Sequence, residues 1–399
     1  MTAVAIFLLT YLVLAIGRLP GFRVDRTGAA IIGATMMIAT KSLSIEQAYA
    51  AIDYNTIILL FGMMIVVANL RLSGFFTLVS AWVVEHAHRP IVLLSAIVLV
   101  SGFFSAFFVN DTMCLVLTPL VLEIARRLRR NPVPYLLAVA MAANIGSVAT
   151  ITGNPQNMMI GSFSGIGYRA FAAALAPIAA AGLVALIALL WFVYGRELLQ
   201  QADGMVIEHH SVTVDRMLLW KSLVASAAMI TCFFAGLPVH IVALAAGALL
   251  LITRRVGPQT IYREIDWPLL VMFMGLFVVV AGVERTTLSQ HLLATAARLR
   301  LERTAVLSAT AAVLSNIVSN VPAVLVFKPM MARLPDPRQA WLALAMSSTL
   351  AGNLTVLGSV ANLIVVERAR QEANISFWEY AKLGIPVTLI TLAIGVVLI

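Results

Sequence analysis

Long apolar runs, each close to the thickness of a lipid bilayer, dominate this sequence. They fall at approximately 4–17, 27–40, 55–71, 91–125, 134–165, 171–194, 218–235, 238–252, 267–283, 304–331, 340–366 and 380–399. A helix needs about 20 apolar residues to cross the hydrocarbon core. A chain that is 61% hydrophobic and only 11% charged also has too little polar surface to coat a water-soluble globule. The runs are continuous and do not alternate in strand-length pieces, so they predict helices and not a barrel. The expectation is an all-α, multi-pass protein of the cell's inner (plasma) membrane, with the lipid bilayer as its first partner. The 27 Lys and Arg exceed the 18 Asp and Glu. They lie between the runs, where they orient the chain in lipid, so nucleic acid is excluded as a partner. Cys114 and Cys232 both sit in apolar stretches and give neither a disulfide framework nor a soft-metal cluster. The opening run, 1–16, has no basic leader and is expected to remain as a span.

Two runs are too long for a single crossing and are polar in the middle. Run 91–125 carries Phe108-Val109-Asn110-Asp111-Thr112, and run 304–331 carries Ser315-Asn316-Ile317-Val318-Ser319-Asn320-Val321-Pro322. Each is expected to be a re-entrant hairpin, because non-helical backbone at membrane depth is tolerated only against protein or a water-filled cavity. Two further runs are expected to be broken helices. Run 134–165 is interrupted at Thr152-Gly153-Asn154-Pro155-Gln156-Asn157. Run 340–366 is interrupted at Gly352-Asn353-Leu354-Thr355 and Gly358-Ser359-Val360-Ala361-Asn362.

These interruptions recur in order. Ile52-Asp53-Tyr54 and Gly62 fall on Ile265-Asp266-Trp267 and Gly275 at an offset of 213. Ser105, Asn110 and Pro119 fall on Ser315, Asn320 and Pro329 at 210. Thr150, Gly153 and Asn157 fall on Thr355, Gly358 and Asn362 at 205, and Pro177 falls on Pro386 at 209. Each half, 1–194 and 218–399, then holds five crossings and one hairpin, joined by a polar cytoplasmic linker at 195–217. Five is odd, so the second half is inverted relative to the first, giving two inverted repeats and about ten transmembrane helices beside the hairpins. With the base of hairpin 91–125 placed in the cytoplasm, eighteen Lys and Arg fall in inner loops and eight in outer loops, as the positive-inside rule prefers. Segments 75–88 and 288–300 are too polar to cross and are expected to be interfacial helices.

Asp111 is the one carboxylate deep in an apolar run. An ionised carboxylate at the bilayer centre costs at least ~2.5–3.5 kcal/mol unless it is hydrated, paired or protonated. It can therefore serve proton or ion coupling; alternatively it caps the second hairpin helix, and the two roles can coexist. Asn110, Thr112, Asn316, Ser319 and Asn320 surround the hairpin tips. Gly153, Asn154, Gln156, Asn157, Asn353, Thr355, Gly358, Ser359 and Asn362 mark the broken helices. Taken singly, such residues are interhelical glue, but clustered at four breaks they point to a binding site for a small solute and an ion. Half-helix N-termini aimed at a common point suit an oxyanion or a hydroxylated solute. Lys328 is expected to reach the outer surface, and His209, His210 and His240 to lie in loops. The Met and Phe residues show no metal-ligand spacing, so no metal, cofactor or catalytic group is expected, and the chain is read as no enzyme. No Walker motif is present, so an ion gradient or an external ATPase must supply the drive.

Phe107-Phe108-Val109-Asn110-Asp111, followed by Leu115-Val116-Leu117-Thr118-Pro119, resembles the signature of the arsenite permease (ArsB) and NhaD branch of the ion transporter superfamily. Ser319-Asn320-Val321-Pro322-Ala323-Val324-Leu325 resembles the second hairpin of arsenite permeases, and the Gly153–Asn157 and Gly358–Asn362 loops resemble their broken helices. The resemblance implies a substrate site between hairpin tips and broken helices, elevator-like alternating access, and export of arsenite or antimonite against an inward flow of protons, sometimes with a soluble ATPase partner. Asn110 and Asp111 match the first tip and Asn320 the second. The chain departs from enterobacterial-type arsenite pumps, which carry Asp at the position of Asn144 and Asp and Lys at those of Thr349 and Asn353. Symport of a small anion such as a carboxylate or sulfate, with cations held at the hairpins, and sodium/proton antiport therefore stay open beside arsenite export.

Overall fold

The computed structural model describes residues 2–17, 21–86, 89–199, 214–252, 255–286 and 298–399. Most of the 195–217 linker and of the expected interfacial helix at 288–300 lies outside them. Every regular element among the described residues is helical, with no β-strand. Six helices are long and apolar enough to cross a membrane: Tyr54–Leu72, Pro90–Phe107, Tyr168–Arg196, Arg216–Phe234, Trp267–Glu284 and Phe377–Leu398. Shorter apolar helices are Thr2–Ile16, Arg26–Ala39, Val133–Ser147, Val239–Leu251 and Thr304–Val318. The polar segment at 75–88 is a helix, Phe75–His86. Helix Tyr168–Leu199 runs past residue 194, so the polar stretch after it begins later than composition suggests.

Neither over-long run passes straight through. Pro90–Phe107 stops at Phe108 and Val109, and Asn110–Arg127 turns back against it. Thr304–Val318 stops at Ser319, and Asn320–Met331 turns back in the same way. Both broken helices are also present. Val133–Ser147 ends before a short turn at Ile151–Gly153 and resumes as Pro155–Ser164. Pro337–Leu350 ends before turns at Ala351–Asn353 and Val356–Gly358 and resumes as Val360–Ala369.

The backbone repeats at these breaks. Thr150 (φ −139°, ψ 165°) matches Thr355 (φ −136°, ψ 162°), and Asn154 (φ −157°, ψ 163°) matches Ser359 (φ −144°, ψ 143°). Side-chain bonds repeat too. Asn157 Nδ2 donates to the carbonyls of Ser147 and Thr150, while Asn362 Nδ2 donates to those of Gly352 and Thr355. A pair of short helices invisible in the hydropathy pattern, Ile45–Ala51 and Pro258–Arg263, also lies 213 residues apart.

The helices form two bodies. In one, Arg26–Ala39 packs on Trp267–Glu284 and Val239–Leu251 packs on Tyr54–Leu72. Both contacts depend on a glycine. A Cβ on Gly275 would lie 2.8 Å from the Ala30 carbonyl oxygen, and one on Gly62 would lie 2.6 Å from the Ala243 carbonyl carbon. We call this body the frame. The hairpins, the broken helices, Tyr168–Leu199 and Phe377–Leu398 make up the second body, in which Gly146 seats directly on Gly102.

Polar ties fix which ends share a face. Arg71 pairs with Glu264, Arg126 Nη2 with Glu372 Oε1 at 2.5 Å, and Tyr194 Oη donates to Glu379 Oε1 at 2.7 Å. All three join segments that the cation count puts in the cytoplasm. Lys328 Nζ meets Glu284 Oε1 at 3.5 Å and lies 4.8 Å from the Phe163 ring centroid, joining two segments assigned to the other face.

Candidate functional site

A cavity of about 260 Å³ lies where the frame meets the second body. Four half-helix N-termini converge on it. Asn110 and Asp111 come from the first hairpin, Ser319 and Asn320 from the second, Pro155 and Gln156 from one broken helix, and Ser359 and Val360 from the other. The frame adds Arg26, Thr27, Asp266 and Pro268. Unsatisfied N–H groups at a helix start carry positive partial charge, so the four starts together favour oxygen-rich or anionic solutes.

Each tip is built for polarity. The helix Asn110–Arg127 takes Val109 as its N-cap, with no side-chain cap bond. Asp111 therefore sits inside the first turn and is not the cap, although a carboxylate there still complements the helix dipole. It is half-buried and lines the cavity together with Asp266. Asn110 is buried, and its Oδ1 finds no donor among the described residues, leaving an unpaired acceptor in a residue that lines the cavity. At the other tip Ser319 has φ 78° and ψ 160°, a region populated almost only by glycine and costing of order 1–3 kcal/mol for another residue. Asn320 is satisfied when its Nδ2 donates to the carbonyls of Ser348 (3.1 Å) and Gly358 (3.2 Å) and its Oδ1 accepts from Gln156 Nε2 (3.3 Å).

Behind the tips lies a network that binds the two broken helices to each other. Asn144 Oδ1 accepts from Asn110 Nδ2 and Ser359 Oγ, both at 3.0 Å. Its Nδ2 donates to Asn353 Oδ1 at 2.9 Å and Asn362 Oδ1 at 3.0 Å. Both donors and both lone pairs of one amide are thus used. Thr349, its counterpart at an offset of 205, accepts from Asn154 Nδ2 (3.2 Å) and Gln156 Nε2 (3.1 Å).

The residues singled out in the sequence therefore separate into two groups. Asn110, Asp111, Gln156, Ser319, Asn320 and Ser359 line the cavity. Asn154, Asn157, Asn353 and Asn362 are fully buried and spend their amides on the breaks. Asn316 and Thr355 bond each other and lie off the lining, as does Thr112. Gly153 and Gly358 are there for close approach: a Cβ would meet the Ser147 carbonyl oxygen at 2.1 Å and Asn316 Oδ1 at 2.7 Å. Asn144, Arg26 and Asp266 escaped sequence reasoning as site residues. Asn144 sits within an unbroken apolar helix, Arg26 reads as a loop cation, and Asp266 reads only as a marker of the repeat. The available signals were the alignment of Asp266 with Asp53 and, for Asn144, the Asp that arsenite pumps carry at its position.

A helical membrane protein with a solute-sized cavity at the meeting point of four half-helices has the build of a transporter. The Alcanivorax borkumensis YdaH transporter shares the fold, with a TM-score of 0.58 at 15% identity over all of this chain and 95% of that one. The citrate transporter family model, CitMHS, matches residues 11–337, and the chain belongs to that family. It is a secondary transporter of the membrane, and not an enzyme. It is similar to an uncharacterised transporter of Mycobacterium tuberculosis, 31% identical over 99% of this chain and 96% of the relative. It is likewise similar to the silicon efflux transporter of Oryza sativa subsp. japonica, 30% identical over 95% of this chain and 93% of the relative.

Proposed function

We propose that this protein exports a small uncharged metalloid hydroxide, arsenite or antimonite, by proton-coupled alternating access of the elevator type. The observation that carries the reading is the cavity lining: amides and hydroxyls from Asn110, Gln156, Ser319, Asn320 and Ser359, with Asp111 among them as a titratable group. At about 260 Å³ the cavity falls below the range typical of drug-sized ligands, which suits a solute of few atoms. A thiolate-free lining is compatible with soft metalloid cargo that has to be released. The rice relative is named for silicon efflux; dissolved silicon and trivalent arsenic are both neutral hydroxides near pH 7, and this supports the same solute class here.

In this reading the halves 1–194 and 218–399 are inverted copies, a division supported by the matched backbone angles and amide bonds at the two breaks. The cavity opens beside Arg26 and Asp266, on the face that the cation count makes cytoplasmic, so this conformation is the loading state of an exporter in the plasma membrane. Asp111 carries the proton. An associated soluble ATPase would be an addition to this cycle and is not required by it.

A second reading, symport of a small carboxylate, is favoured by two observations. Arg26 lines the cavity mouth, and the family model is described by citrate.

Flux through reconstituted proteoliposomes separates the two. Arsenite or antimonite should accumulate against its gradient when a pH gradient is imposed, and citrate should not. Asp111→Asn should abolish that accumulation while leaving downhill arsenite exchange intact. Sodium- or proton-driven citrate uptake without arsenite flux would replace the first reading with the second.

A further inference from the structure

A second cavity, of about 280 Å³, lies at the opposite end of the frame. That it is the opposite end follows from Arg71, near the C-terminus of Tyr54–Leu72, pairing with Glu264 beside the N-terminus of Trp267–Glu284. The two frame helices are therefore antiparallel, and Asp53 and Asp266 mark opposite faces. The frame side of the second cavity is formed by Asn55, Leu59, Val239 and His240. Shifted by 213, these become Pro268, Met272, Arg26 and Thr27, which line the first cavity. The frame thus offers the same groove twice, once to each face.

What fills each groove differs. Hairpin tips and the Ser359–Val360 break face the first. The second is filled by the far end of Pro155–Ser164, through Gly161 and Ser162. The paired aspartates record the same asymmetry. Asp266 is exposed at the first cavity, and its carboxylate accepts from Leu269 N of its own helix. Asp53 is half-buried: its Oδ1 accepts from Ser162 Oγ of the second body at 3.0 Å, and its Oδ2 accepts from Thr56 Oγ1 at 2.5 Å.

We infer that the second cavity is the opposite mouth of the same solute path, and that the Asp53–Ser162 hydrogen bond is the latch that keeps it shut. This rests on the alternating-access reading above. When the second body slides along the frame, Ser162 leaves Asp53, the hairpin tips come to face Asn55 and His240, and Asp53 becomes as open as Asp266 is here. The solute leaving by this mouth is the small hydroxylated species loaded at the other. Nothing covalent changes; one bond that crosses between the bodies is exchanged for water.

Thiol labelling of the full-length protein in proteoliposomes tests this, with Cys232 and Cys114 first replaced by Ser and Ala. His240→Cys reports the closed mouth and Thr27→Cys, its counterpart, the open one. A hydrogen bond to a charged group is worth enough that its loss moves a two-state population about tenfold, equivalent to about 1.4 kcal/mol. Adding Ser162→Ala should therefore raise the rate of His240→Cys labelling by a membrane-impermeant maleimide about tenfold and lower that of Thr27→Cys. An unchanged rate at His240→Cys would overturn the latch. In a second arm, Asp53→Cys with Ser162→Cys, bridged by oxidation, should stop flux until reduced. Flux that persists through the bridge overturns the proposal even if Ser162→Ala fails to fold. The labelling arm is read without any solute, so its failure is distinct from a wrong choice of cargo, while the flux arm uses arsenite.

Discussion

Replacing Asn144 by Leu tests what holds the two broken helices together. The substitution removes an amide whose four hydrogen bonds, at 2.9–3.0 Å, run to the first hairpin and to both sides of the second break. It keeps most of the volume and strands Asn110 Nδ2, Asn353 Oδ1 and Asn362 Oδ1 in a buried site, while Ser359 Oγ loses its acceptor and keeps only the Ala361 N–H. Interhelical hydrogen bonds within membranes average about 0.6 kcal/mol, so four give about 2.4 kcal/mol. Stranded buried groups in water-soluble proteins cost about 1–3 kcal/mol each, which makes that figure a lower bound. With an unfolding entropy of about 2.1 cal/mol/K per residue, a chain of 399 residues should lose about 3 °C in Tm or more. Thermal unfolding of the purified protein reads the shift directly. The control is Thr35→Val, whose hydroxyl bonds Ile31 on an exposed helix face and whose loss should stay within about 0.5 kcal/mol. Combining Asn144→Leu with Asn362→Leu should cost less than the sum of the two, because they share a bond. If Asn144→Leu costs no more than Thr35→Val, the network does not carry the breaks, and the cavity needs another source of rigidity.

Two further substitutions probe the backbone. Ser319→Gly relieves a φ of 78° at the second hairpin tip and should raise stability by about 0.5–2 kcal/mol, the strain of order 1–3 kcal/mol less glycine's entropic penalty; an unchanged or lower Tm would show that the tip bears no strain. Gly275→Ala forces its Cβ to within 2.8 Å of the Ala30 carbonyl oxygen and Gly62→Ala does the equivalent at Ala243, so each should separate a frame pair and lower Tm by several degrees, whereas Gly257→Ala, with nothing within 4 Å, should not.

Much of this arrangement is legible in the sequence because lipid makes polarity conspicuous. Asn110, Asp111, Ser319 and Asn320 stand out inside apolar runs, and the structure puts all four on one cavity. The five amides at the breaks stand out equally, yet four of them, Asn154, Asn157, Asn353 and Asn362, face inward to backbone carbonyls. Residue type does not say which way an amide points; only the closure of neighbouring breaks decides it. Asn144 is hidden for the opposite reason. One polar residue in the uninterrupted helix Val133–Ser147 carries no local signal, and its importance arises from partners 34 to 218 residues away. Arg26 and Asp266 belong to helix starts where charge is ordinary, and they reach the cavity only because the frame helices begin beside the tips. Lys328 was expected to reach the surface; it is half-buried and paired with Glu284, a partner supplied by another helix.

The most direct measurement is calorimetric titration of the purified protein with arsenite, comparing the wild type with Asn110→Ala, Asn320→Ala and the off-cavity variant Gln339→Ala. Binding should survive in the wild type and Gln339→Ala, and should weaken at least tenfold in each tip variant. Equal affinity in all four would place the solute somewhere other than between the hairpin tips.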